Sequence, residues 1–144
     1  MKTKILFSLA VALMLTVSAT FANQDDKKAE KKTLSFAIES YVDQLQTGFN
    51  EDYASILSND VKFNLNRNGK TFSHGKTEEL KDYNKKNEGL VQNCKIDYKV
   101  ITSSDSYALL NVSMQFDGFT RENIVSMAKV NDSWKITEVN SVFK

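Results

Sequence analysis

The chain has 144 residues, of which 41% are hydrophobic and 26% charged, and its formal net charge is +1. This size and balance are typical of one globular domain and argue against general disorder. The low net charge excludes the strongly basic field that dominates nucleic-acid binding. One Cys and one His exclude the usual structural zinc sites. No segment matches a phosphate loop, a nucleophile elbow or a metal-binding loop, so we expect no cofactor and no metal.

The first 22 residues have the order of a secretory signal peptide. Lys2 and Lys4 give a positive start, an apolar run extends from Ile5 to Val17, and small residues precede Ala22. The run is shorter than the about 20 apolar residues that span a bilayer. We therefore expect cleavage after Ala22, with a cut after Ala19 as the alternative. The mature protein would be exported, periplasmic or extracellular, with no membrane segment.

Residues 23–32 are charged and contain one apolar residue, so we expect a flexible leader before a single domain at residues 33–144. Thr33 can cap a helix, and Gly48 can end it in the left-handed conformation. Between them, apolar residues recur at steps of three and four, which predicts a helix with one apolar stripe. The stripe consists of Leu34, Ala37, Ile38, Tyr41, Val42 and Leu45. Asp52 precedes a second, short helix.

The middle of the chain predicts a strand pair and a helix. Residues 61–66 alternate strictly between apolar and polar, which predicts a strand with one buried face. Asn68 and Gly69 are typical of a hairpin turn, and residues 70–73 can form the return strand. Thr77 can cap a third helix, whose thin apolar face predicts a lid or flank on the surface.

The last third consists of four alternating runs, which begin near Cys94, Leu110, Ile124 and Trp134 and are separated by short polar turns. Sequential strands joined by tight turns form an antiparallel meander. A sheet this long must bury one face, and the first helix has the apolar stripe to cover part of it. The expected fold is α+β, with a long curved antiparallel sheet wrapped round the N-terminal helix to leave a cone open at one end.

Several segments then point to a family: Ile38–Val42, Glu51–Tyr53, Val61–Phe63, His74–Lys76 and Asn131–Ile136. In these segments and in the order of elements, the chain resembles the nuclear transport factor 2-like superfamily, a cone-shaped, cystatin-like fold. That superfamily includes steroid isomerase, scytalone dehydratase and SnoaL-like cyclases. Within it, the chain resembles small exported bacterial proteins labelled "putative lumazine-binding". The resemblance covers residues 33–144 and implies a homodimer that pairs through the sheet.

Residues that could carry acid–base chemistry are few. His74 is the only imidazole, and at the cone mouth it could act as a general acid or base, although its place before Gly75 favours an exposed turn. Related isomerases and dehydratases use carboxylates inside the cone. For each candidate here a surface position is favoured, and no catalytic residue is assigned. The candidates are Asp60, Asp97, Asp117 and Glu138. Cys94 is expected to be a buried, inert thiol.

Aromatic side chains could line an apolar pocket or simply pack the core. The spacing favours the core for Tyr41, Tyr98 and Trp134. Asn111 lies on a strand face that could line a pocket or be exposed. The candidate pocket residues are Tyr41, Tyr53, His74, Tyr98, Asn111, Phe116 and Trp134.

The sequence therefore favours an exported, non-catalytic domain that binds a small apolar molecule or a protein partner. The alternative is a cofactor-free isomerase, dehydratase or cyclase with one acid–base residue in the cone. A third hypothesis is a partner-binding protein whose cone is filled. A buried ionisable group inside a cavity would favour the enzyme, whereas a cone plugged by apolar side chains would exclude a pocket.

Overall fold

The computed structural model describes residues 24–86 and 91–144. For residues 83–86 it describes the backbone only. The predicted signal peptide, residues 1–22, lies outside the described residues. Within the described ranges, no helix is both long and apolar enough to cross a membrane.

Residues 24–30 form a helix, α1, where the charge pattern predicted a flexible leader. Gln, Lys, Ala and Glu all favour helix, and the two Asp residues precede the first two Lys residues, as the helix dipole prefers. The connection that follows is joined to the domain. Lys31 Nζ lies 2.8 Å from the Asp52 carboxylate, and the Trp134 N–H donates to the Lys32 carbonyl at 3.3 Å.

The predicted N-terminal helix of the domain is confirmed as α2, Leu34–Thr47. The Phe36 N–H donates to Thr33 Oγ1 at 3.2 Å, which caps the first turn. Gly48 ends the helix with φ 72°, and its N–H donates to the Gln44 carbonyl at 3.0 Å. A four-residue helix, α3, follows at Tyr53–Ile56.

The first strand pair and the helix after it are longer than predicted. Strand β1 covers Leu57–Arg67 and β2 covers Lys70–Gly75, so His74 lies in a strand and not in a turn. Helix α4, Lys76–Lys86, begins one residue before the expected cap at Thr77. The Gly75 N–H donates to Glu78 Oε2 at 3.3 Å, an interaction typical of a residue at the helix N-cap.

The predicted meander of four strands is confirmed. Its strands are β3, Lys95–Ser103; β4, Tyr107–Phe116; β5, Phe119–Val130; and β6, Ser133–Phe143. The turn between β1 and β2 and the turn between β5 and β6 each contain two residues with positive φ. This conformation matches the twist of antiparallel strands.

The six strands form one sheet in the order β2-β1-β6-β5-β4-β3. Strand β1 pairs with β6 in parallel, with Phe63 opposite Val139, while the other neighbours are antiparallel. This parallel pair brings β1 and β2 beside the end of the meander. The fold is the expected α+β arrangement of a curved sheet around the N-terminal helix of the domain.

One face of the sheet packs against α2 and α3 and forms the core. In register across it lie Leu110, Val125 and Val139, each at most 1% exposed. Helix α2 contributes Ala37, Ile38, Tyr41 and Leu45 to the same cluster. We call this side of the sheet the concave face and the other side the convex face.

Strand β3 differs from its expected role as a core strand. Tyr98 pairs with the fully buried Val112 on the concave face, yet 51% of its surface is exposed. The described helices pack over β1, β2 and β6, and β3 is the edge strand at the other end of the sheet. The expectation that Tyr98 packs the core is therefore wrong, because sequence alternation shows the face but not how far the helices cover it.

The capping bond of α2 can be tested by stability. Replacement of Thr33 by Ala should lower the free energy of unfolding by about 1 kcal/mol, because the Phe36 N–H loses its acceptor. Urea denaturation measures this change. Thr33→Ser keeps the hydroxyl and should stay close to wild type, whereas equal losses for both variants would contradict the capping role.

Candidate functional site

A cavity of about 210 Å³ opens between the helices and the concave face. It is lined by Tyr41, Leu45, Tyr53, Phe63, Asn64, Leu65, His74, Glu79, Asp82, Arg121 and Ser141. The volume equals that of about seven liquid water molecules. It is smaller than the roughly 300–1,000 Å³ typical of pockets for drug-sized ligands. The cone formed by the described residues is therefore open, and its cavity suits a small molecule.

Three polar side chains form a hydrogen-bonded chain at one side of this cavity. The Tyr53 hydroxyl donates to Glu79 Oε1 at 2.9 Å, and His74 Nε2 lies 2.6 Å from Glu79 Oε2. Glu79 is only 8% exposed. A buried carboxylate needs hydrogen bonds to replace its lost hydration, and Tyr53 and His74 supply one to each oxygen.

Glu79 reaches the pocket because α4 starts immediately after β2. His74 is next to the last residue of β2, and Glu79 is the fourth residue of α4. The first turn of the helix therefore lies over the strand that it follows. Glu79 is not among the site residues predicted from the sequence. The signal that could have found it was a His five residues before a Glu across a strand–helix junction.

Tyr53 is positioned by the loop between α2 and α3. Buried Gln44 holds this loop at two points, since its amide nitrogen donates to the Gly48 carbonyl and its oxygen accepts from the Asn50 N–H at 2.6 Å. The Tyr53 N–H donates to the Asn50 carbonyl at 3.1 Å. The Tyr53 ring then stacks on Tyr41 of α2, with 6.5 Å between the centroids. Both aromatic rings are thereby fixed at the cavity wall.

His74 is fixed by a cross-strand pair. It lies opposite Phe63 in the β1–β2 register, and the two rings stack at 5.2 Å with an interplanar angle of 8°. About a third of the His74 side chain stays exposed. Stacking and the Glu79 contact together set the orientation of the imidazole. A ring held in this way can accept or donate a proton at the cavity.

A second polar network lies on the strands at the other side of the cavity. Arg121 donates from Nε to Asn123 Oδ1 at 3.0 Å and from Nη2 to Ser141 Oγ at 3.1 Å. The Ser141 hydroxyl donates to Asn123 Oδ1 at 2.7 Å, and Asn123 Nδ2 contacts Met114 Sδ at 3.7 Å. Asn123 and Ser141 are fully or almost fully buried. None of Arg121, Asn123 and Ser141 is among the candidate residues predicted from the sequence.

The structure brings three of the seven predicted pocket residues together at the cavity, namely Tyr41, Tyr53 and His74. The other four do not line it. Tyr98 is exposed on the edge strand, and Trp134 is buried in the core. Phe116 stacks on Phe119 at 4.6 Å near the β4–β5 turn.

Asn111, the fourth of these, lies on the convex face opposite Ile124, because it alternates with the buried Leu110 and Val112. Its Oδ1 atom is buried without a hydrogen-bond partner. This atom faces away from the cavity, so Asn111 cannot contribute to the pocket of this chain.

The four candidate carboxylates lie outside the cavity, as the sequence favoured. Asp60 accepts from the Ser58 hydroxyl at 2.9 Å, Asp97 pairs with Lys95, and Asp117 is exposed in the β4–β5 turn. Glu138 accepts from Asn64 Nδ2 at 2.9 Å. The carboxylate that enters the pocket is Glu79 instead.

Cys94 is a free thiol that is partly buried, and burial raises its pKa. A raised pKa leaves less thiolate at any given pH, so the thiol is a poor nucleophile, as the sequence predicted. Within the described residues no group of three His, Cys, Asp or Glu side chains could hold a metal ion.

Comparison with known proteins agrees with this architecture. Residues 29–144 match the family described as "putative lumazine-binding". The chain belongs to this family. No curated protein matches it significantly in sequence.

Comparison with solved structures shows that this chain has the nuclear transport factor 2-like fold. A protein of this fold and of unknown function from Silicibacter pomeroyi superposes with a TM-score of 0.61 at 12% identity, covering 77% of this chain and 92% of that chain. A second protein of this fold and of unknown function, from Methylobacillus flagellatus, superposes with a TM-score of 0.58 at 16% identity, covering 83% of this chain and 93% of that chain. A putative ketosteroid isomerase from Parabacteroides distasonis superposes with a TM-score of 0.55 at 12% identity, covering 74% of this chain and 83% of that chain. At these identities the likeness establishes the fold alone.

The Arg121 network can be tested through Ser141. Replacement of Ser141 by Ala should lower the free energy of unfolding by about 1–2 kcal/mol, because buried Asn123 and Arg121 each lose a hydrogen-bond partner. Chemical denaturation measures the change. The control is Ser113→Ala on the convex face, where the hydroxyl makes only a 3.4 Å contact with Glu122. A loss as large in the control as in Ser141→Ala would rule out a special role for the network.

Proposed function

We propose that this protein binds a small polar molecule in the cavity on the concave face. The observation that carries the proposal is a cavity with fixed hydrogen-bonding groups on two sides, His74 with Glu79 on one and Arg121 with Ser141 on the other. Ligand sites commonly combine apolar walls with a few placed polar groups. The polar groups here favour a polar ligand over the purely apolar one that the sequence suggested.

The size of the cavity limits the ligand. Pockets for drug-sized ligands usually have volumes of roughly 300–1,000 Å³. A cavity of about 210 Å³ therefore suits a molecule of one or at most two fused rings. It is too small for a molecule of steroid size. The name of the family adds support for a compact heterocycle such as a lumazine. Apolar wall residues Leu45, Phe63 and Leu65 would contact the ring faces of such a molecule.

A second function, acid–base catalysis, is favoured by one specific contact. His74 Nε2 is 2.6 Å from the buried Glu79 carboxylate, and an imidazole held by a carboxylate is a common proton shuttle. In this alternative the protein would be a cofactor-free isomerase, dehydratase or cyclase that moves a proton on a small carbonyl compound. The structural likeness to a putative ketosteroid isomerase supports the same class.

We also propose that the protein acts after export and as a homodimer paired through its sheet. The signal-like residues 1–22 support export. The resemblance of the chain to the nuclear transport factor 2-like superfamily supports pairing. N-terminal sequencing after bacterial expression tests cleavage after Ala22, and sedimentation tests the dimer.

Binding can be tested by thermal denaturation with a library of lumazines, pterins, flavins and small aromatic acids. A compound that binds only the native state raises the melting temperature. We expect the increase in wild type but not in Leu65→Trp, which fills the cavity. The matched control is Leu109→Trp on β4, a strand residue outside the cavity lining, which should respond like wild type. Tyr53→Phe serves as a second cavity variant if Leu65→Trp does not fold.

The same compounds separate the two functions when followed by NMR in deuterated water. Binding without hydrogen exchange on the ligand supports the binding domain. Exchange that is catalysed by wild type and lost in His74→Gln supports the enzyme. A library that produces no shift in melting temperature with folded protein would contradict both.

A further inference from the structure

We propose that the ligand is a small monocarboxylic acid whose carboxylate binds Arg121. This inference rests on the proposed function, because it assigns the chemical class of the molecule that the cavity binds. It starts from a positive charge inside the cavity that the protein itself does not neutralise.

Arg121 lies on the concave face, between the buried Met114 on one neighbouring strand and Phe143 on the other. Its side chain lines the cavity. Ion pairs within the described residues join other groups, and none involves Arg121. Arg121 is half-buried, and charged side chains that are removed from water are usually paired with an opposite charge. An external anion would supply the missing charge.

The guanidinium is also held in place for such a ligand. Asn123 and Ser141 accept from its Nε and Nη2 atoms at 3.0 and 3.1 Å. Both acceptors are neutral, so they fix the orientation without cancelling the charge. The Nη1 group makes no hydrogen bond to a described side chain. A fixed guanidinium binds a planar carboxylate with little loss of conformational freedom.

The acidic groups at the cavity explain why the anion would bind at Arg121. Both oxygens of Glu79 are already hydrogen-bonded, and Asp82 is an exposed residue of α4. Arg121 on β5 lies three strands from His74 on β2, and it is also four residues along β5 from Val125, which is in line with His74 across the sheet. A carboxylate at Arg121 therefore stays away from Glu79, while the far end of the ligand can reach His74.

The count of charges favours a monocarboxylate over a phosphate ester. One guanidinium neutralises one negative charge, and no other cationic side chain lines the cavity among the described residues, apart from His74 when it is protonated. The cavity volume leaves room for a ring or short chain between the carboxylate and a hydroxyl or carbonyl group near His74. A hydroxybenzoate has these features.

Benzoate and benzamide are the test probes, because they share size and shape and differ in charge. Titration calorimetry or NMR should show that wild type binds benzoate at least about tenfold more tightly than benzamide. Arg121→Gln should weaken benzoate binding by a similar factor and bring the two affinities together. Arg121→Lys should bind benzoate with intermediate affinity, since it keeps the charge but loses the planar fork. The matched control is Arg67→Gln, whose arginine stacks on Phe143 and is not part of the cavity lining.

Several results would overturn the inference. Equal affinity of the wild-type protein for benzoate and benzamide would overturn it. Benzoate binding that survives in Arg121→Gln would also overturn it. Binding of inorganic phosphate but of no monocarboxylate would do so as well. In each case compounds that Leu65→Trp excludes would still support the proposed function. If no compound of any class binds the wild-type cavity, the proposed function fails together with this inference.

Discussion

The carboxylate of Glu79 joins the elements that surround the pocket. Among the side chains that the structure describes, it is the only charged one that is buried. Burial of a carboxylate is costly unless both oxygens are hydrogen-bonded, and here one bonds Tyr53 of α3 and the other contacts His74 of β2. Since Glu79 itself belongs to α4, one side chain connects a strand and two helices. The shape of the cavity at this side depends on that connection.

The opposite side of the pocket depends on the strands alone. Arg121, Asn123 and Ser141 come from β5 and β6, and their side chains hold one another in the concave face. Helix α4 therefore presents a buried acid to the cavity, strand β2 presents an imidazole, and strand β5 presents a guanidinium. The charges that line the cavity are therefore arranged asymmetrically, with the acid of Glu79 on helix α4 and the guanidinium of Arg121 on strand β5.

Much of the fold could be predicted from the sequence because its signals are local. The Thr33 cap, the apolar stripe of α2 and the alternation of the last four strands each depend on residues that are neighbours in the chain. The parallel pairing of β1 with β6 could not be predicted, because it joins segments about 75 residues apart, such as Phe63 and Val139. The site shows the same limit. His74, Tyr41 and Tyr53 were candidates by residue type, but Glu79 and Arg121 resemble ordinary surface charges until the fold places them in the cavity.

The most direct test of this account is the NMR signal of the one imidazole in the chain. In ¹⁵N-labelled protein, Nε2 of His74 should carry a slowly exchanging proton, because that N–H donates to buried Glu79. The signal should disappear in Glu79→Ala and persist in Glu78→Ala, whose carboxylate contacts Gly75 instead. If the wild-type proton exchanges as fast as in a free imidazole, or survives in Glu79→Ala, the carboxylate does not hold the pocket together.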